Sequence, residues 1–203
     1  MLLIKSPTSP YGRLAHAALV EAGYDDLKLE IVDPWSDPKE LTEVHPARRV
    51  PVLVTDAGHA ISEALLIVQY AKENTKSDPQ YFATGDPELE ALSLAASVVD
   101  LSVNIIISRK ASTGNPADPS FDKTEMGQRR FQAIDDLLMA LEKIAQSNAA
   151  VLTERFVGIA VVNALNYTQF RFADAAWHAR VPALNTLSEQ LTQRPSLAST
   201  VFQ

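Results

Sequence analysis

Ser6-Pro7-Thr8-Ser9-Pro10-Tyr11-Gly12-Arg13 is the stretch on which the reading of this chain turns. It separates a short apolar run, Leu2-Leu3-Ile4, from residues 14–22, whose spacing is that of an amphipathic helix. A buried strand therefore ends, the chain turns, and a helix begins within a few residues. Ser9 has the side chain preferred at an N-cap, and Pro10 suits the first helical position, where no N–H is required. Such a turn aims backbone N–H groups and a hydroxyl at one spot, and the positive end of the helix dipole favours an anion there. Taken alone, Ser-Pro is also an ordinary helix start. The rest of the chain decides between the two.

Working outward, the first helix stops at Gly23. Leu27, Leu29 and Ile31 alternate with Lys28 and Glu30, the pattern of a half-buried strand. After a break at Pro34 to Pro38 and a weak helix, Val50-Pro51-Val52-Leu53-Val54 forms the next strand, and Asp56-Ala57-Gly58-His59 turns into a brief one at Ala60-Ile61. From Ser62 the period becomes helical as far as Asn74. Pro51 sits at the start of a buried strand, where proline is tolerated only at an edge, a bulge or the first position. A cis Val50-Pro51 bond accounts for it and leaves the backbone N–H and C=O of Val50 facing outward. The order is β-α-β-α-β-β-α, in which two strands can lie parallel through a crossover helix.

Polar residues 76–86 then read as a linker, and everything beyond them reads as helix. Helical stripes run over residues 87–110, with Leu89, Leu92, Ala96, Val99 and Val103, and over 124–146. Leu94, Val98, Leu101 and Ile105 form a second stripe beside the first on the long helix, apolar surface in excess of one face and expected to meet a partner chain. Residues 156–171 are apolar almost all round, as in a central buried helix. Pro182 opens the last helix.

Composition narrows the function. The 203 residues carry a net charge of −7 with no Lys/Arg cluster, which argues against a nucleic-acid partner. There is no cysteine, so disulfides, thiolate metal sites and redox exchange through a protein thiol are excluded. No unbroken apolar run reaches about 18 residues, so no membrane span is expected. No secretory leader pattern opens the chain, and a cytoplasmic location is the expectation.

A β-α-β-α-β-β-α module with proline opening its third strand, followed by an all-helical half, resembles the cytosolic glutathione S-transferase family. Residues 6–13 resemble its serine-type active-site turn. His45-Pro46-Ala47-Arg48-Arg49-Val50-Pro51-Val52-Leu53 is similar to the family's Asn-Pro-x-x-Lys-Val-Pro-x-Leu, and Ile67 and Tyr70 fit its Glu-Ser-x-x-Ile-x-x-Tyr helix. Arg194-Pro195-Ser196 and Thr200 fit its Arg-Pro-Ser-x-x-x-Thr ending. The resemblance covers essentially the whole chain. It implies a thioredoxin-like glutathione-binding domain over residues 1–75, a linker over 76–86 and an all-helical domain over 87–203. It also implies a homodimer, no metal, and a role in detoxification. Two departures stand out. The family's Glu-Ser pair is Glu63-Ala64 here, and the Ser/Thr-x-x-Asp cap of the central helix is Arg155-Phe156-Val157-Gly158.

The resemblance assigns the site. Glutathione is an extended, anionic tripeptide with a thiol in its middle. The backbone of Val50 beside Pro51 would pair with its cysteinyl residue like an added strand. The start of the helix at Glu63-Ala64 would meet the γ-glutamyl carboxylate, with Glu63 accepting from the α-amino group, and Arg49 would reach the glycyl carboxylate. Ser9 is the expected catalytic residue, donating to the thiolate; Ser6 and Tyr11 are its alternatives. One such bond contributes about 1.5–3 kcal/mol, or about one to two pKa units, enough to ionise a thiol that titrates near about 8.5. His16, His45, His59 and His178 are not placed to turn Ser9 into a nucleophile. Tyr11, Val103, Ile106, Tyr167 and Phe170 are expected to line an apolar wall for a small apolar electrophile. The competing reading is a protein that keeps the fold and binds or interacts without catalysis, which Ala64 supports.

Overall fold

The computed structural model describes residues 1–202. The chain divides into two compact units. One comprises Met1–Ala83 together with the segment from Leu191 onward; the other is Thr84–Gln190.

The first unit is built on a four-stranded sheet of order β2-β1-β3-β4. Strand β1 (Leu2–Lys5) leads into helix α1 (Pro10–Glu21), and β2 (Lys28–Ile31) returns parallel to β1, Leu3 pairing with Leu29. After the short helix α2 (Lys39–Thr42), β3 (Val52–Val54) runs antiparallel to β1 with Leu3 opposite Leu53. Strand β4 (Ala60–Ser62) completes the sheet antiparallel to β3, and helix α3 (Ala64–Glu73) follows at once. Alternation sends successive side chains to opposite faces. Ile4 and Val52 join Val32 and Leu41 on the α2 side. Leu3 and Leu53, both fully buried, take the other face, where α1 and α3 pack together. Lys5 shares the parity of Leu3 and so falls on the α1 side of the sheet, where it is 8% exposed.

Strand β2 departs from the alternation argument. Leu29 and Ile31 are 41% and 52% exposed. The strand lies at the rim of the sheet, paired only with β1, so its apolar residues are not covered as those of a central strand are.

The second unit is helical: α4 (Asp86–Thr113), α5 (Glu125–Ser147), α6 (Ala149–Thr153), α7 (Val157–Arg171) and α8 (Pro182–Leu191). Helix α4 packs on both α5 and α7. Helix α7 is buried without a break from Val157 to Leu165, and no side chain caps its start. Glu142 on α5 is 4% exposed, and its two carboxylate oxygens accept the amides of Ala183 and Leu184 at 2.9 Å each. It thus satisfies the first N–H groups of α8 from another helix.

Two readings of α4 are corrected. Val98 and Ile105, assigned to a stripe left over for a partner, are fully buried inside their own unit. The count of unbroken apolar residues also understated this helix. An 18-residue window of α4 has a mean hydropathy of 1.8, long and apolar enough to cross a membrane, because serines, Asp100 and Asn104 interrupt the run while the aliphatic majority keeps its average high. Packing against α5 and α7 buries part of it, Ala91, Ala95, Val98, Val99 and Ile105 lying in the unit's core.

The tail does not stay with the helical half, as the boundary at residue 87 implied. Helix α9 (Pro195–Ala198) and its flanks group with the first unit. Arg194 donates to Glu21 from Nε at 2.8 Å and from Nη2 at 2.5 Å, and the Ser196 hydroxyl donates to the same carboxylate at 2.5 Å. Arg13 donates to the Thr200 hydroxyl at 3.2 Å and to the Leu197 carbonyl at 3.3 Å. The Arg-Pro-Ser-x-x-x-Thr ending is therefore a clasp onto α1.

Candidate active site

Ser9 caps α1. Its backbone is extended (φ −82°, ψ 119°), its hydroxyl oxygen accepts the Gly12 amide at 3.1 Å, and Pro10 follows in the first turn. The cap bond uses a lone pair only, so the hydroxyl proton is left to donate, and no group among the described residues takes it. Ser6 is buried, its carbonyl accepting the Ser9 amide at 3.3 Å.

The Val50–Pro51 peptide is cis. The antiparallel ladder of β1 and β3 ends at the Ile4–Val52 pair, so Val50 lies beyond it. Ala64 opens α3, and no side chain caps the helix at Glu63. The amides of its first turn therefore lack the usual side-chain acceptor. Glu63 holds φ 67° and ψ 121°, a conformation costing about 1–3 kcal/mol for a residue with a side chain. It also reaches Arg49 at 3.5 Å, an ion pair exposed on both sides.

These residues meet in one small hollow, lined by Tyr11, His45, Arg49, Val50, Pro51, Glu63 and Ala64, with a volume of about 10 Å³. That is room for about one water, so an extended ligand would lie along this edge rather than be enclosed by it. All five residues assigned to glutathione are in it, Tyr11 joins them, and Ser9 is not among the lining side chains. His45 is an addition. Its place one step before Pro46, where the family has asparagine, was the signal.

The remaining wall residues belong to the second unit. Val103 and Ile106 are half-buried on α4. On α7, Tyr167 is 3% exposed and Phe170 38%, with the Arg171 guanidinium over their rings at 5.6 and 4.5 Å. Among the described residues no group of three or more His, Cys, Asp or Glu side chains converges as metal ligands would.

Behind the turn lies a group of bases. Lys5, Arg13 and His16 are 8%, 3% and 8% exposed, and Lys5 Nζ lies 3.4 Å from His16 Nδ1. Burial, then Arg13, lowers the Lys5 pKa; burial, then Lys5, lowers that of His16 to about 4; burial lowers that of Arg13 to about 10.

A sheet of this order under α1 and α3, with the cis proline facing the start of α3, defines a thioredoxin-like domain, here joined to a helical unit. Residues 3–79 match the glutathione S-transferase N-terminal domain. The chain is 28% identical over 213 residues to YibF of Escherichia coli strain K12, an uncharacterized GST-like protein, covering 98% of each chain. A glutathione transferase family member from Pseudomonas fluorescens Pf-5, solved with bound glutathione, has TM-score 0.82 and 23% identity over 100% of this chain and 98% of that one. A glutathione S-transferase from Methylobacillus flagellatus KT, also solved with glutathione, has TM-score 0.84 and 19% identity over 98% of each.

Proposed function

We propose that the protein binds glutathione along the Val50–Ala64 edge and activates its thiol at the Ser9 turn for attack on a small apolar electrophile. The observation that carries this reading is the convergence of Arg49, Val50, Pro51, Glu63 and Ala64 on one hollow beside Tyr11. In the proposed mechanism the Val50 backbone aligns the cysteinyl residue. The uncapped start of α3 holds the γ-glutamyl carboxylate, and Arg49 meets the glycyl carboxylate. The thiol proton leaves to solvent and the Ser9 hydroxyl donates to the thiolate. Its lone pair then forms the carbon–sulfur bond, while the electrophile's leaving group or π bond takes the displaced pair. The serine never becomes a nucleophile.

Tyr11, which lines the hollow beside Val50 and Pro51, is proposed to contact the electrophile. The proposed assembly is a homodimer, for which the exposed Leu65 and Leu66 on α3 offer an apolar surface. Ala64, which brings a methyl where the family has a hydroxyl, favours a second reading in which the fold binds its partner without turnover. Calorimetric titration with glutathione tests both. Heat of binding with a thiolate signal supports the transferase reading, binding without thiolate supports the second, and the absence of binding removes glutathione as the ligand.

A further inference from the structure

Gly12 lies in the first turn of α1, where glycine costs about 1 kcal/mol relative to alanine. Its φ is not positive, so backbone freedom does not explain it. Space does. A Cβ at position 12 would stand 3.0 Å from the Cβ of Lys5, and 3.5 and 3.6 Å from the Cβ and Oγ of Ser9. The missing side chain is the room through which Lys5 passes behind the turn to reach His16, one turn further along α1.

Lys5 is more than nine-tenths buried, and its one polar partner among the described residues is His16 Nδ1. An ammonium can only donate, so the imidazole accepts and stays neutral. The next charge acting on it is the buried cation of Arg13, which lowers its pKa together with desolvation. Burying a cation without a counterion costs several kcal/mol, and a leucine at position 5 would continue the apolar face set by Leu3. The cost is retained beside the turn that an anion is expected to occupy.

We propose that Lys5 supplies, from behind the turn and without touching the substrate, the positive field that favours an anionic sulfur at Ser9. The inference rests on glutathione being the ligand of that turn. A bound thiolate gives the buried ammonium the counterion it lacks, and the ammonium in turn holds the sulfur ionised.

The test separates charge from binding. Wild type and Lys5→Met are titrated with glutathione sulfonate and S-methylglutathione, which share the tripeptide and differ in charge at sulfur. In the wild type the sulfonate binds more tightly. In Lys5→Met that preference shrinks about tenfold, as a unit charge about two helical turns away gives at an effective dielectric constant of about 20. The affinity for S-methylglutathione is kept. An unchanged preference overturns the proposal, because a merely structural Lys5 would weaken both ligands alike. If Lys5→Met does not fold, Lys5→Gln, which removes the charge and leaves His16 a polar neighbour, carries the same comparison. If neither ligand binds the wild type, the glutathione reading fails and this inference falls with it; binding of both with equal preference in wild type and variant sinks the inference alone.

Discussion

Arg194 closes on Glu21 with two guanidinium nitrogens, at 2.8 and 2.5 Å, across 173 residues of chain. The carboxylate is 9% exposed and accepts the Ser196 hydroxyl as well. Hydrogen bonding to Glu21 raises the Arg194 pKa, so the guanidinium stays charged. Arg194→Ala leaves a largely buried carboxylate with one hydroxyl. It is expected to lower stability by about 2 kcal/mol, a figure reduced for the partial exposure of the arginine. Urea unfolding of wild type and variant measures it; a change under about 0.5 kcal/mol would show that the clasp holds little.

His16 gives the protein an acid limb. Burial and Lys5 lower its pKa from about 6.5 to about 4, so in the folded state the ring is neutral where the unfolded chain would protonate it. The stability tied to the neutral ring is complete above pH 6.5 and is lost as pH falls towards 4. Replacing His16 with glutamine, which offers Lys5 an acceptor and does not titrate, is expected to flatten the urea midpoint over that window. Equal slopes in both proteins would contradict the assignment.

Ala64 predicts weak binding. The family's serine hydroxyl would add one charge-assisted hydrogen bond, so its loss lowers glutathione affinity about ten- to a hundredfold, towards the millimolar range. Ala64→Ser should tighten binding at least severalfold and leave the thiol pKa unchanged, since the two ends of the tripeptide are held separately. Equal affinities by calorimetry would mean that a neighbour such as Ser62 already supplies the donor.

Leu66, 53% exposed on α3, tests the dimer. Leu66→Glu is expected to give a monomer by light scattering at micromolar concentration, where the wild type gives a dimer. A monomeric wild type would remove the claim.

Local chemistry made much of this legible. The Ser9-Pro10 cap, the Val50-Pro51 pair and the apolar belt of α7 are each written in a few adjacent residues. What stayed hidden depends on distant partners. Lys5 reads as a solvated strand end until α1 is laid over β1; only its parity with Leu3 hinted at burial. Arg194 and Thr200 read as a tail motif, and nothing nearby in sequence points to Glu21 and Arg13. Alternation in β2 promised a buried face, but a rim position does not supply one. On α4, periodicity alone could not tell a stripe facing another chain from one facing α5 and α7.

The central claim is that Ser9 holds a thiolate. Its replacement by alanine removes the cap as well, so stability is expected to fall by about 1 kcal/mol, and binding of glutathione should change little. The deciding measurement is the ultraviolet absorbance of the thiolate as glutathione is titrated into wild type and Ser9→Ala at neutral pH, repeated across pH to give the thiol pKa. The account predicts a thiolate signal in the wild type and a pKa higher by about one unit or more in the variant. An identical pKa in both proteins would contradict it, leaving Ser9 as a helix cap alone.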